Sequence, residues 1–163
     1  MESGIVIRGT TPEDAREVLR QRRLMFRDMG YRDEAALDAM QATSDPFLLA
    51  RMQDGTYRGW LAQAADGRVA GGGGVLLHPW VTNPRAPNPM HAYLLNVYVY
   101  QECRRQGVAR RMMQEMVDWC RAQGFATVWL HASTEGRPLY ESLGFVATNE
   151  MRLTFDRQPP PEK

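Results

Sequence analysis

Hydrophobic and polar residues alternate between two periods along this chain, and each change of period marks a new element. Ile5-Val6-Ile7-Arg8 is a short β-branched run and predicts a first strand. Thr11-Pro12-Glu13-Asp14 then carries a helix-start signature: a Thr cap, Pro in the first turn, and acids over the positive end of the dipole. Ala15, Val18, Leu19, Met25 and Met29 give that helix an apolar face, and Gly30 ends it. A second helix is expected between Glu34 and Met52, either continuous or broken at Asp45-Pro46. Strands follow at Tyr57–Ala64 and Val69–Leu77, joined by the turn Ala65-Asp66-Gly67. Leu94 to Tyr100 is again dense in β-branched and aromatic residues. From Gly107 the period returns to helical with Ala109, Met112, Met113, Met116, Val117 and Cys120, up to Gly124. Thr127–Ala132 reads as a fifth strand, about Gly136 to Leu143 as a short helix, and Met151–Phe155 as a last strand.

The resulting order, β-α-α-β-β-β-α-β-α-β, defines an α/β (α+β) layered domain. Residues 1–156 are expected to form one domain and 157–163, rich in proline, a disordered tail. There is no internal repeat.

Two stretches interrupt the regular pattern. Gly71-Gly72-Gly73-Gly74 lies inside the third strand. It lacks the Gly-Lys-Ser/Thr of a phosphate-binding loop, and no helix pattern follows it. A bulged or kinked strand that admits a ligand close to the backbone is the expected form. His78 to Pro89 carries four prolines around Trp80 and is too stiff for a simple hairpin turn. It is an ordered surface loop, a lid over a binding site, or a dimer contact.

Composition removes several classes of function. The formal net charge of the 163 residues is +1, which gives no footprint for nucleic acid or for a membrane surface. No apolar run is long enough to cross a bilayer and no signal peptide is evident, so a cytoplasmic protein is expected. Cys103 and Cys120 do not make a disulfide framework. His78, His91 and His131 are too scattered for a metal site, so none is expected. Basic residues are arginines except for Lys163, a bias attributed to base composition.

The chemistry concentrates between the fourth strand and the helix after it. Arg-x-x-Gly-x-Ala (Arg104, Gly107, Ala109) links them. Free N–H groups at a helix start, strengthened by the dipole, bind anions; small residues let a phosphate come close, and arginines add charged donors. Arg104, Arg105, Arg110 and Arg111 all crowd a helix N-terminus, where positive charge is disfavoured unless an anion is present.

This segment resembles the acyl-CoA loop of the GNAT superfamily of N-acyltransferases, with its pattern Gln/Arg-x-x-Gly-x-Gly/Ala. Leu139-Tyr140-Glu141-Ser142-Leu143-Gly144-Phe145 is similar to the family's Tyr-x-x-x-Gly-Phe ending. The close likeness runs over about residues 93 to 146. It implies a mixed, mostly antiparallel sheet flanked by helices, whose fourth and fifth strands run parallel and splay apart to admit pantetheine. It also implies acetyl-CoA as cosubstrate, no metal, and acetyl transfer to an amine by direct attack in a ternary complex. The acceptor would be a small molecule or a peptide, with a homodimer as a further partner.

By this resemblance the amides of Arg105, Gln106, Gly107, Val108, Ala109 and Arg110 face the pyrophosphate, with charge from Arg104 or Arg105. Val97, Tyr98 and Val99 line the pantetheine arm, with the Val97 N–H at the thioester carbonyl, where it would stabilise an oxyanion. Tyr140 protonates the leaving thiolate; otherwise it is a core aromatic. Some members carry a glutamate four residues before the equivalent of Val97; here that position is Tyr93. Deprotonation of the amine therefore falls to His91, His131 or a water chain. The family's Asn-x-x-Ala is Ser133-Thr134-Glu135-Gly136, so Ser133 either contacts pantetheine or only caps the helix. Cys103 has no evident His partner and is read as structural. Met25, Met29, Tyr31, Trp60 and Trp80 line an apolar acceptor site or belong to the core. The other reading is a non-catalytic acyl-CoA-binding or regulatory module on the same fold.

Overall fold

The computed structural model describes residues 4–155. In chain order it contains β1 (Ile5–Gly9), α1 (Ala15–Asp28), α2 (Glu34–Asp54), β2 (Tyr57–Ala64), β3 (Val69–Pro79), β4 (Met90–Val99), α3 (Val108–Ala122), β5 (Val128–Leu130) and α4 (Arg137–Ser142). Single 3-10 turns at Pro12–Asp14 and Gln101–Cys103 precede α1 and α3. The strands form one sheet in the order β1-β2-β3-β4-β5. Successive pairs are antiparallel except β4 and β5, which are parallel. A parallel neighbour needs a crossover, and α3 supplies it.

Helices cover both faces. The apolar stripe of α3 places Met112, Met113, Met116 and Cys120 in complete burial against Trp60, Val75, Ala92 and Leu94. Each such side chain contributes about 1.5–3 kcal/mol relative to exposure, so this face is the main core. Burial pushes the Cys120 thiol up to about 11, which keeps it neutral. On the opposite face Val18 of α1 and Leu48 of α2 pack around Tyr57, with Leu76 and Leu95 at the margin.

α2 is not broken at Pro46. It runs unbroken through the proline because Leu37 and Leu48, on either side, are both buried and must share one face. That packing outweighs one missing hydrogen bond. Asp33 starts the helix by accepting from the Ala36 N–H (3.2 Å), and Gly55, at φ 79°, ends it.

Other boundaries also differ from expectation: β3 runs on to Pro79, and β4 begins at Met90 rather than Leu94. β5 is limited to Val128–Leu130. Met151–Phe155 does not form a strand: Met151, Leu153 and Phe155 are exposed and unpaired. Alternation makes a segment compatible with a sheet, but a strand also needs a ladder partner, and this segment has none among the described residues. The expected tail 157–163 lies outside the described residues. The Pro-rich stretch is an ordered loop closing the β3–β4 hairpin: the Trp80 N–H donates to the Pro89 carbonyl (2.9 Å), and Asn83 pairs with Ala86.

The glycine run serves packing between elements of this chain. A Cβ on Gly72 would lie 2.2 Å from Oε1 of Gln21, and one on Gly74 2.2 Å from the Tyr57 hydroxyl. One on Gly73 would meet Sδ of Met116 at 2.9 Å. The expected irregularity is present, but side chains of α1, β2 and α3 occupy the space that the sequence suggested for a ligand.

Candidate active site

Register locates the site. Gly72 pairs with Tyr98 and Gly74 with Leu95, so Gly73 alone faces Asn96 and Val97. This is a β-bulge in β4, with Asn96 at φ 59°. Asn tolerates that left-handed conformation better than the β-branched residues around it. The bulge also exchanges the faces of β4. Before it, Ala92 and Leu94 pack toward α3; after it, Val97 and Val99 do. Leu95 and Asn96 both turn toward α1 and α2, where Leu95 joins the Val18–Leu48–Tyr57 cluster. Asn96 donates to the Tyr57 hydroxyl (3.2 Å) and accepts from Nη1 of Arg22 (2.7 Å). Burial lifts the Tyr57 phenol to about 12, so it remains a neutral partner.

Pairing between β4 and β5 ends at Leu94 and Leu130. Beyond it the β5-facing edge of β4, Leu95 to Val99, has no strand partner among the described residues. The two parallel strands part there into a V, with Val97 at its side.

The loop after β4 adopts left-handed conformations at Arg105 (φ 62°) and Gly107 (φ 78°), and Gly107 is the N-cap of α3 with no side-chain hydrogen bond. The first amides of α3 are thus uncapped, and a concave run of N–H groups of this kind favours an anion. The arginines divide. Arg104 is engaged away from the loop: Nε donates to the Val99 carbonyl (2.9 Å), Nη2 pairs with Asp28, and the guanidinium lies 5.7 Å from the Tyr98 ring centre. Arg111 donates to the Ile5 carbonyl (2.7 Å) and Arg110 to Oγ of Ser142 (2.7 Å). Arg105 has no such partner among the described residues and is exposed. Three of the four arginines therefore have structural reasons to be there.

Tyr140 lies on the α3 side of the sheet, packed against the main core, its ring 6.1 Å from that of Phe145. Burial raises its pKa, so the phenol holds its proton at neutral pH. Ser133 accepts from the Gly136 N–H (3.0 Å) and so caps the turn into α4.

On the other side of the sheet, facing α1 and α2, the Tyr93 hydroxyl hydrogen-bonds Nδ1 of His131 just where β4 and β5 part. His91 is enclosed instead: it stacks on Trp80 (centroids 5.3 Å, planes 20° apart), meets Trp129 at 5.0 Å and His78 at 5.1 Å. Burial first, then His78, pull its pKa down. Of the two histidines, His131 is the one at the V. Met25, Met29, Tyr31, Trp60 and Trp80 are not gathered together: Trp60 is in the α3-side core against Trp119 and Tyr31 packs on Phe26.

A cavity of about 740 Å³ lies elsewhere, lined by Glu17, Arg20, Arg68, Tyr100 and Cys103 among others. It includes Gln106 but touches neither Val97 nor Tyr140. Asn96, Tyr57 and Arg22 were not singled out there. The only signal was an Asn in mid-strand between Leu95 and Val97.

The profile of the acetyltransferase (GNAT) family matches residues 21–145, and the chain belongs to that family. It resembles a GCN5-related N-acetyltransferase from Ralstonia eutropha JMP134, with a TM-score of 0.86 and 33% identity over 93% of this chain and 99% of that one. A predicted acetyltransferase from Clostridium acetobutylicum, crystallised with acetyl-CoA, shares the fold (TM-score 0.81, 18% identity, 92% of this chain and 95% of that one). A curated relative is the ribosomal protein bS18-alanine N-acetyltransferase of Escherichia coli K12, 37% identical over 57 residues; the match spans 33% of this chain and 38% of that enzyme.

Proposed function

We propose that the protein transfers the acetyl group of acetyl-CoA directly to an amine bound beside it in a ternary complex. The observation that carries this reading is the parting of β4 and β5 beyond Leu94 and Leu130, with the uncapped start of α3 next to it. The open edge of β4 suits an extended pantetheine arm, as a sheet edge suits an added strand. The amides of Gln106, Gly107, Val108, Ala109 and Arg110, with the guanidinium of Arg105, suit a pyrophosphate. Arg104 acts on this loop through Val99 and Asp28.

The two faces of the sheet then divide the protons. Tyr93 and His131 lie on the side of α1 and α2, and Tyr140 on the side of α3. The amine gives a proton to the His131–Tyr93 pair, directly or through water; imidazole is the usual side chain for that step near neutral pH. Its nitrogen attacks the thioester carbon, and the Val97 N–H faces the oxyanion. As the carbonyl re-forms and the C–S bond breaks, the thiolate takes the proton of Tyr140; the nitrogen releases its second proton to water, which reprotonates Tyr140, and the first proton leaves His131 for solvent. His91, held in its aromatic stack, shapes the acceptor wall.

Calorimetry with CoA and an amine panel read by free CoA release test this. Wild-type protein is expected to bind CoA, and Gly107→Glu to lose that affinity while keeping its fold: a side chain at φ 78° beside the anion site adds both strain and negative charge. Unchanged CoA affinity in Gly107→Glu would refute the loop assignment. Tight CoA binding without turnover of any amine would favour the binding-module reading.

A further inference from the structure

Arg22 stands out among the arginines of α1. Arg20, Arg23 and Arg27 on the same helix each pair with a carboxylate, Glu17 or Glu34, and Arg16 is exposed to solvent. Arg22 forms no ion pair among the described residues, although it is the one drawn under the sheet. Its guanidinium lies 5.0 Å from the Phe26 ring centre, Nη1 donates to the neutral amide of Asn96 (2.7 Å), and Nε is buried without an acceptor. Asp45 is outside ion-pairing range; its oxygens accept from Gln41 (3.2 Å) and Ser44 (3.5 Å). Burial presses against the charge and is the main influence on this group. A guanidinium presents five donors in a planar fork. Here one is met by a side-chain amide; the charge has the Phe26 ring and the distant Asp45 carboxylate near it, and no ion-pair partner among the described residues.

The position gives the unpaired Nε a meaning. Asn96, which Arg22 touches, is the bulge residue next to Val97, on the face of the sheet that also carries Tyr93 and His131. Resting on the acetyl-transfer reading, we propose that Arg22 receives an anionic group of the acceptor, so that the substrate is an amine bearing a carboxylate or phosphate a few bonds from its nitrogen. A planar fork fits either group through paired hydrogen bonds. The same charge disfavours polyamines and other purely cationic acceptors.

Matched pairs test it: α-amino acids against the amines left by removing their carboxyl group, and ethanolamine phosphate against ethanolamine. Each is titrated calorimetrically into CoA-saturated protein and assayed for CoA release from acetyl-CoA. The anionic member of a pair is expected to bind more tightly and to show the higher kcat/KM. The preferred pair identifies the anion. In Arg22→Gln, which keeps a donor for Asn96 but not the charge, the preference should fall by about 10- to 100-fold, chiefly through KM. Equal treatment of both members by the wild type overturns the inference. So does an equal loss for both members in Arg22→Gln, which would mark Arg22 as a prop for the bulge. Failure of CoA itself to bind removes the acetyl-transfer reading, and this inference with it; CoA binding without anion preference removes this inference alone.

Discussion

Replacing Asn96 by alanine tests whether the bulge of β4 depends on this one side chain. The residue is 4% exposed, sits at φ 59°, and is hydrogen-bonded to both Tyr57 and Arg22. Three losses accompany the change. A left-handed backbone costs an L residue about 1–2 kcal/mol, part of which Asn recovers through its polar side chain and Ala does not; about 1 kcal/mol is assigned to this. Nη1 of Arg22 loses its acceptor and the Tyr57 oxygen its donor, and an unmet buried polar group costs about 1–3 kcal/mol. Some relaxation is expected around a partly exposed arginine, so the total is about 2–4 kcal/mol. In a chain of this size that lowers Tm by about 5–15 °C. Differential scanning calorimetry measures it, with Asn96→Gly as the control. Glycine loses the same hydrogen bonds but relieves the backbone, so it should be more stable than alanine by about 1 kcal/mol. An alanine variant within 1 kcal/mol of wild type, or a glycine variant less stable than alanine, would refute the account of the bulge.

Three further outcomes are expected. Tyr140→Phe keeps the ring in the core and removes the proton; kcat should fall ~10²–10⁴-fold with little change in acetyl-CoA KM, and a full kcat across pH would take Tyr140 out of the mechanism. His131→Gln should lower turnover most near neutral pH and least where the amine is already deprotonated in solution; a uniform loss at every pH would show that His131 does not accept the proton. Asp14 is held at about 2, from 3.8, first by the hydrogen bond from Arg8. A depressed folded-state pKa stabilises the protein above the unfolded value, and that contribution is lost as pH falls from about 4 to 2. Acid unfolding of Asp14→Asn, followed by circular dichroism, should be less steep in that window; an unaltered curve would show that the Arg8 pair adds nothing to stability.

The main elements were legible because their periods are strong: the Met112–Met113–Met116–Cys120 stripe could only be a one-faced helix, and it is the centre of the core. Local signals misled where tertiary packing or pairing decides. Pro46 is a helix breaker by itself, yet Leu37 and Leu48 bury both halves on one face. Met151, Leu153 and Phe155 alternate as a strand does, yet pairing is a property of a neighbour and not of the segment. At the site, Gly107 was expected only as a small residue giving an anion access to the helix start; the left-handed backbone at Arg105 and Gly107 was not foreseen. Nor were the commitments of Arg104 to Asp28 and of Arg22 to Asn96. Each joins residues more than seventy positions apart, and no local spacing encodes such a contact.

The glycine run of β3 bears on how far this site can be transplanted. A strand without side chains from 71 to 74 holds the adjoining backbone of β4 by its ladder alone and adds no side-chain packing of its own. The shape of that backbone is delegated to Gln21, Tyr57 and Met116, which reach into the space from a helix, a strand and a second helix. The short signature from the fourth strand to the third helix is therefore not a portable cassette. Moved alone into a related scaffold, it would bring Gly107 and Val97 but leave behind the three side chains that fit the glycines opposite. Engineering of acceptor choice has to treat positions 21, 57 and 116 as one unit with residues 95–97, to be varied together.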